Sequence, residues 1–190
     1  GGHTSLMTIA GPERSEVLGR TLDDAAGEAL DKFGKRLGLA YPAGPQIDRL
    51  ACRGDPQRFD LPRGMSGRAD LAMSFSGLKT AGRQLIDRLA ADGPRPEGQD
   101  LSDLCASYQD AVVAQLVSTT RRALEQTGMK DLVIAGGVAA NAAIRAGLER
   151  FAAERAMRFV APPPKLCTDN AAMIAWAGCE RLALDGFRSD

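Results

Sequence analysis

Apolar and polar positions alternate over residues 4–9 and again, more briefly, over 16–19. The "GPERS" between them supplies the Gly and Pro of a tight connection, so the chain opens on a predicted β-hairpin. The period then changes. Leu22, Ala26, Leu30, Phe33 and Leu37 recur at helical spacing, with Thr21 as the expected cap, Asp24 as its capping-box partner and Gly38 as the stop. "YPAGP" at 41–45 predicts a rigid loop, followed by a short helix over 46–51. Residues 71–75 read as a strand, and Ser76 as the cap of a helix to about residue 89. A Pro/Gly-rich surface loop is expected over 91–100. From Ser102, as cap, a long helix is predicted to about Thr127, with Leu104, Tyr108, Val112, Leu116 and Leu124 along one side and Gly128 closing it. Residues 132–135 read as a buried strand, 141 to about 156 as a helix, and 158–160 as a strand ended by three prolines. Asp169 is expected to open a last helix with Met173, Ile174 and Ala177 facing in.

This pattern is mixed α/β, without an internal repeat. The hairpin and the later strands form a core over about residues 1–21 and 101–190, into which about 22–100 is inserted as a mostly helical segment. A chain of 190 residues builds an ordinary core, burying about 70% of its surface. With 24 basic and 24 acidic residues the net charge is zero, so the whole molecule has no field that draws nucleic acid, though a local patch can. At 5% aromatic residues, a base-stacking platform is not expected. The spacing of Cys52, Cys105, Cys167 and Cys179 fits neither a paired zinc motif nor a small disulfide framework, which points to free thiols in a reducing compartment. No apolar run is long enough to span a membrane, and nothing reads as a signal peptide. The opening glycine pair and the close on "DGFRSD" read as a piece of a longer chain.

Two glycine turns carry the first candidate chemistry. In "LVIAGGVAANAAI" a strand runs into Gly136 and Gly137 and then into a helix with Asn141 near its start. Glycine lets the backbone approach a ligand closely, and a helix start aims N–H groups at an anion. The turn serves either as a tight strand-to-helix connection with an Asn cap, or as a contact for a phosphate or nucleoside. Gly1 and Gly2 pose the same alternative. Asp24, Glu28 and Asp31 fall on one predicted helix face, as a solvated row or as acceptors for a ribose or a metal-bound water. Asp169 is a helix cap or one ligand of a divalent metal. Lys79, in a first helical turn, runs against the helix dipole; solvent exposure or a nearby anionic ligand accounts for it. His3 is the only histidine, so no histidine-based triad or metalloprotease pair can be assembled.

The motifs "GGHTSL", "GRTLDDAAGEALDKFGKRLGLAYPAGP", "SFSGLKTA", "SYQDAVVAQL", "VIAGGVAANAAIRAGL" and "LCTDNAAMIAWAG" follow one another in an order and at spacings that together resemble the C-terminal portion of the TsaD family. The resemblance covers nearly the whole chain. It implies a lobe of the actin, sugar-kinase and Hsp70 type, with a ribonuclease-H-like core. It also implies transfer of threonylcarbamoyl from threonylcarbamoyl-adenylate to N6 of adenosine 37 in tRNAs reading codons that begin with A. The partners it implies are tRNA, a companion paralogue subunit and a small ATPase; the cofactors are one divalent metal ion, iron or zinc, and an adenine nucleotide as part of the substrate. Matched by motif, Gly1 and Gly2 belong to the loop contacting the adenylate. Asp31, Gly44 and Asn141 match substrate-contacting positions, with Glu28 in support of Asp31, and Asp169 matches a carboxylate metal ligand. Two departures stand out. The first lobe, with the family's His-x-x-x-His metal ligands, is missing, and Ala43 stands where the family usually has a glycine. The resemblance further implies a cytoplasmic enzyme, inactive as this piece alone. The rival readings are a small-molecule kinase of the same superfamily and a non-catalytic, partner-docking subunit.

Overall fold

The computed structural model describes residues 2–11, 14–64, 70–91 and 93–186. Gly1, expected in a substrate loop, lies outside the described residues. The chain is mixed α/β, as the periodicities predict. Strand β1 (Ser5–Gly11) pairs antiparallel with β2 (Arg14–Arg20), Ser5 opposite Arg20 and Met7 opposite Val17, with register shifts after Leu6 and Ile9. Strand β3 (Asp131–Val133) pairs in parallel with β4 (Arg158–Val160) in a second two-stranded sheet.

The first helix corrects the reading of its start. Helix α1 (Ala26–Arg36) begins five residues after Thr21, because Thr21 and Leu22 are used elsewhere. The Thr21 N–H donates to the Thr4 carbonyl and the Leu22 N–H to the Met73 carbonyl, which leaves Leu22 exposed rather than on the apolar stripe. The cap comes from the hairpin instead: Thr4 Oγ1 accepts the Ala26 N–H at 2.9 Å. Glu28, not Asp24, reaches back to the N–H of the preceding residue, Ala25. Gly38, at φ +83°, ends the element as expected, in a conformation that side chains with a Cβ avoid.

The expected strand at 71–75 reduces to one parallel bridge between Met73 and Thr21. Its alternation is real, since Leu71, Met73 and Phe75 are all buried. The ladder stops where Asp23 takes over its next backbone donor: Oδ1 accepts the Phe75 N–H at 2.8 Å, while Oδ2 accepts the Ser74 hydroxyl. Helix α3 (Ser76–Leu89) follows with Phe75 at the cap position, so Ser76 is its first residue and not its cap. Helix α4 (Gly98–Thr127) starts four residues ahead of Ser102, whose hydroxyl bonds back to the Gly98 carbonyl, and Gly128 closes it at φ +63°. The loop predicted over 91–100 is shortened accordingly.

Helix α2 (Gly44–Ala51), α1, α3, α4 and α5 (Ala142–Ala153) surround one core. Phe33 and Tyr108 stack at its centre with ring centroids 3.7 Å apart, and the Tyr108 hydroxyl donates to the Ala29 carbonyl. Leu30, Ile47, Phe75, Leu104, Val112 and Ile144 are buried around them, each contributing about 1.5–3 kcal/mol of transfer free energy. Leu116 and Leu124, further along α4, are only partly buried against this cluster. Cys105 lies in the core as a packing group, its thiol pushed by burial up to about 12. Ala43 takes φ −84°, an ordinary helical value, so the residue standing for a glycine is unstrained.

The C-terminal part departs most from expectation. Only Leu132 of β3 is buried, while Val133 is 61% exposed, so this strand has one covered face rather than two. Helix α6 (Ala171–Asp185) starts from Asn170, whose Oδ1 accepts the Met173 N–H at 3.1 Å. Asp169 therefore precedes the cap. Met173 and Ile174, expected to face in, are 47% and 68% exposed, and residues 171–184 are exposed throughout. An apolar stripe predicts a face to be covered, but nothing among the described residues covers this one. No described helix is long and apolar enough to cross a membrane.

Candidate functional site

The acidic row does not stand on one solvated face. Asp24 lies before α1, its side chain only 12% exposed, and bridges Lys32 at 2.6 Å and Lys79 at 2.5 Å. Burial pushes the Asp24 carboxyl up, but the hydrogen bonds and charges of the two lysines outweigh it and hold it below its ordinary value. Asp23 behaves alike: burial raises it, and bonds from Ser74, Phe75 and Ser76 bring it below the usual range. Lys79 is therefore anchored by Asp24, which neither reading of its sequence position anticipated. Glu28 accepts the Ala25 N–H and pairs with Lys32 at 2.8 Å.

Asp31 has a different role from its neighbours. Its Oδ1 accepts the Ala43 N–H at 2.8 Å and the Gly44 N–H at 3.0 Å, tying the middle of α1 to the start of α2. A Cβ built on Gly44 would stand 3.9 Å from that same oxygen. Asp31 and Gly44 are thus brought together directly. Four residues further along α2, Asp48 Oδ2 accepts the Ala142 N–H at 3.0 Å, which joins α2 to the first residue of α5.

The turn between β3 and α5 passes through Gly136 at φ +89° into a 3-10 turn, Gly137–Ala140. Nothing stands within 4 Å of a Cβ built on Gly136 or Gly137, so the backbone is open to approach there. Asn141 is almost fully buried. Its Oδ1 accepts the Ile144 N–H at 2.9 Å and its Nδ2 donates to Gln109 Oε1 at 2.6 Å, so it caps α5 and fastens it to α4. The 3-10 turn packs against both α1 and the turn Pro164–Leu166 that leads to Asp169. Asp31, Gly44 and Asn141 accordingly lie on elements bonded or packed to one another. Gly2 is exposed at the root of the hairpin, joined to α1 through Thr4. Asp169 is exposed, and no group of three or more His, Cys, Asp or Glu side chains suited to a metal is gathered among the described residues. One carboxylate does not make a metal site.

Thr4, Asp48, Gln109 and Arg145 hold these pieces together and escaped the sequence reading. For Arg145 a signal was present: a cation in the first turn of a helix opposes the dipole, the same irregularity noted for Lys79.

Comparison with known proteins bears on the same residues. The family model described as TsaD, tRNA N6-adenosine threonylcarbamoyltransferase, matches residues 1–176. A protein of that name from Rhodospirillum rubrum is 53% identical over 189 residues, covering 97% of this chain and 52% of the relative. Proteins of the same name from Methylocapsa acidiphila and Agrobacterium fabrum are 51% and 50% identical, over 97% and 100% of this chain, and 53% of each relative is covered. The chain spans about half the length of the curated relatives it matches. With a match over residues 1–176 and half of all aligned positions identical, the chain belongs to the TsaD family.

Proposed function

We propose that this chain supplies one wall of the substrate site of a tRNA N6-adenosine threonylcarbamoyltransferase. The observation that carries the reading is the family match over residues 1–176, which takes in every candidate site residue. In the reaction, N6 of adenosine 37 attacks the carbamoyl carbonyl of threonylcarbamoyl-adenylate. The bond from that carbon to the phosphate oxygen breaks, AMP leaves with the electron pair, and the amine gives up one proton.

The donor is already activated, so the protein chiefly orients it and stabilises the departing phosphate. Gly136 and Gly137 offer an unobstructed backbone for the adenylate phosphate at the strand-to-helix turn, and Gly1 and Gly2 belong to a second contact of the same kind. Asp31 spends one oxygen on Ala43 and Gly44, and the other is the acceptor for a ribose hydroxyl in this reading. Asn141 keeps this wall in register through its cap and its bond to Gln109. Asp169 would contribute one oxygen to a divalent metal ion, iron or zinc, which would act as a Lewis acid on a carbonyl or phosphate oxygen. The wall belongs to an actin-like lobe, its core at about 1–21 and 101–190 with 22–100 inserted. It works in the cytoplasm with tRNA, a companion paralogue and a small ATPase.

The test is modification of tRNA by the full-length protein supplied with purified threonylcarbamoyl-adenylate. Threonylcarbamoyladenosine in the digested tRNA supports the reading. ATP-dependent phosphorylation of a small molecule, with unmodified tRNA, overturns it in favour of a superfamily kinase.

A further inference from the structure

Arg145 stands in the first turn of α5, where a cation is unfavourable, and none of its hydrogen bonds goes to a carboxylate. Its guanidinium spans two chain segments. Nε and Nη2 donate to the Ala139 carbonyl at 3.2 and 2.8 Å, and Nη2 also donates to the Pro162 carbonyl at 2.8 Å. The buried Cys167 Sγ lies 3.5 Å from Nη2 and itself approaches the Pro162 and Pro163 carbonyls at 3.7 and 3.6 Å. Beyond Cys167 the clamp continues: Asn170 Nδ2 donates to the Leu166 and Thr168 carbonyls on either side of it. One planar fork therefore fixes the open glycine turn relative to the segment that ends in Thr168, Asp169 and Asn170.

We propose that Arg145 is a positioning residue, which locks the Gly136–Asn141 turn to the Pro162–Asp169 segment so that both present one surface to the substrate. The proposal rests on the transferase reading above. The geometry calls for arginine in particular. A lysine ammonium is a single point of donation and cannot reproduce a planar fork shared between Ala139 and Pro162. Neither carbonyl belongs to a strand ladder: the β3–β4 pairing ends with the Ile134 N–H on the Val160 carbonyl, and the guanidinium carries the connection between the two segments beyond it. Gln109 and Asp48, by contrast, fasten α5 to the helical body.

The experiment compares Arg145→Lys and Arg145→Met with the unaltered full-length protein by amide hydrogen exchange and by steady-state kinetics with tRNA and threonylcarbamoyl-adenylate. Exchange at Leu166 and Cys167, whose N–H groups bond to Pro163 and Pro164, is expected to quicken in both variants while α4 stays protected. Since a misplacement of about 1 Å can cost about 100-fold in rate, kcat/KM is expected to fall by at least about tenfold, and lysine is not expected to rescue it. Unchanged exchange at residues 166 and 167, full rescue by lysine, or loss of α4 protection in Arg145→Lys would each overturn the proposal. If the unaltered protein modifies no tRNA, the transferase reading falls, and the exchange measurement still decides whether Arg145 locks the two segments.

Discussion

Lys79 and Asp24, 55 residues apart in the chain, meet at 2.5 Å and join the start of α3 to the residues before α1. Two motifs that the sequence presents separately, "LDDAAGEALDK" and "SFSGLKTA", are thus two sides of one network. Removing the Asp24 charge takes from Lys79 its carboxylate and leaves Lys32 with Glu28 alone. Asp24→Asn is expected to lower stability by about 1.5–3 kcal/mol, the range for hydrogen bonds to charged groups. Lys79→Met, at a side chain 38% exposed, is expected to cost at most about 1 kcal/mol because solvent screens that end of the pair. Urea unfolding at neutral pH measures both.

The same network sets a pH dependence. Asp23 and Asp24 are both held below the ordinary value of 3.8, so their contribution is present above that pH and lost as pH falls through the lowered folded values. Unfolding midpoints of the unaltered chain should drop steeply below about pH 4. The drop should be shallower in Asp24→Asn; parallel curves would show that Asp24 has no part in it.

Asp31→Asn separates a structural role from a binding one. The amide oxygen still accepts the Ala43 and Gly44 N–H groups, now as neutral rather than charge-assisted bonds, so the fold is expected to survive at a cost of about 1 kcal/mol. Loss of the charge and its second acceptor should weaken adenylate binding more than Asp24→Asn does. Calorimetry on the full-length protein checks this, and equal effects would take Asp31 out of the site.

Two glycines of α3 provide a packing test within one helix. A Cβ at Gly82 would stand 2.9 Å from Phe33 Cε2 and 3.0 Å from Tyr108 Cε2, atoms of the stacked pair that cannot withdraw separately. Gly82→Ala is expected to cost about 1–3 kcal/mol. A Cβ at exposed Gly77 meets nothing within 4 Å, so Gly77→Ala should stabilise by up to about 1 kcal/mol through helix propensity. Chemical denaturation of the two variants should move in opposite directions.

Asp169→Ala in the full-length protein is expected to lower metal content, measured by mass spectrometry, with thermal stability unchanged, because the α6 cap is Asn170. Asn170→Ala should instead cost about 1 kcal/mol of helix stability. Unaltered metal content in Asp169→Ala would remove the ligand assignment.

Periodicity made the elements legible, and failed where a side chain replaced a backbone partner. The stripe of α1 and the long apolar side of α4 were readable because i, i+4 spacing is a property of the chain itself. The start of α1 was not, because its cap is Thr4, 22 residues away in another element. The strand at 71–75 was lost to Asp23 for the same reason. At the site, the resemblance carried by the motifs singled out Asp31, Gly44 and Asn141, but the bonds linking their elements run through Asp48 and Gln109, which carry no local signature. The inward face assigned to α6 failed differently: amphipathic spacing tells which side seeks cover, not whether cover is present.

That bare helix divides the chain in time as well as in space. Among the described residues, every member of the central hydrophobic cluster, and every partly buried hydrophobic side chain packed against it, precedes residue 160. During synthesis the body built from α1 to α5 can therefore close its core while α6 is still being made. The last helix then emerges onto a finished surface, with Ile174 and Trp176 still turned to solvent.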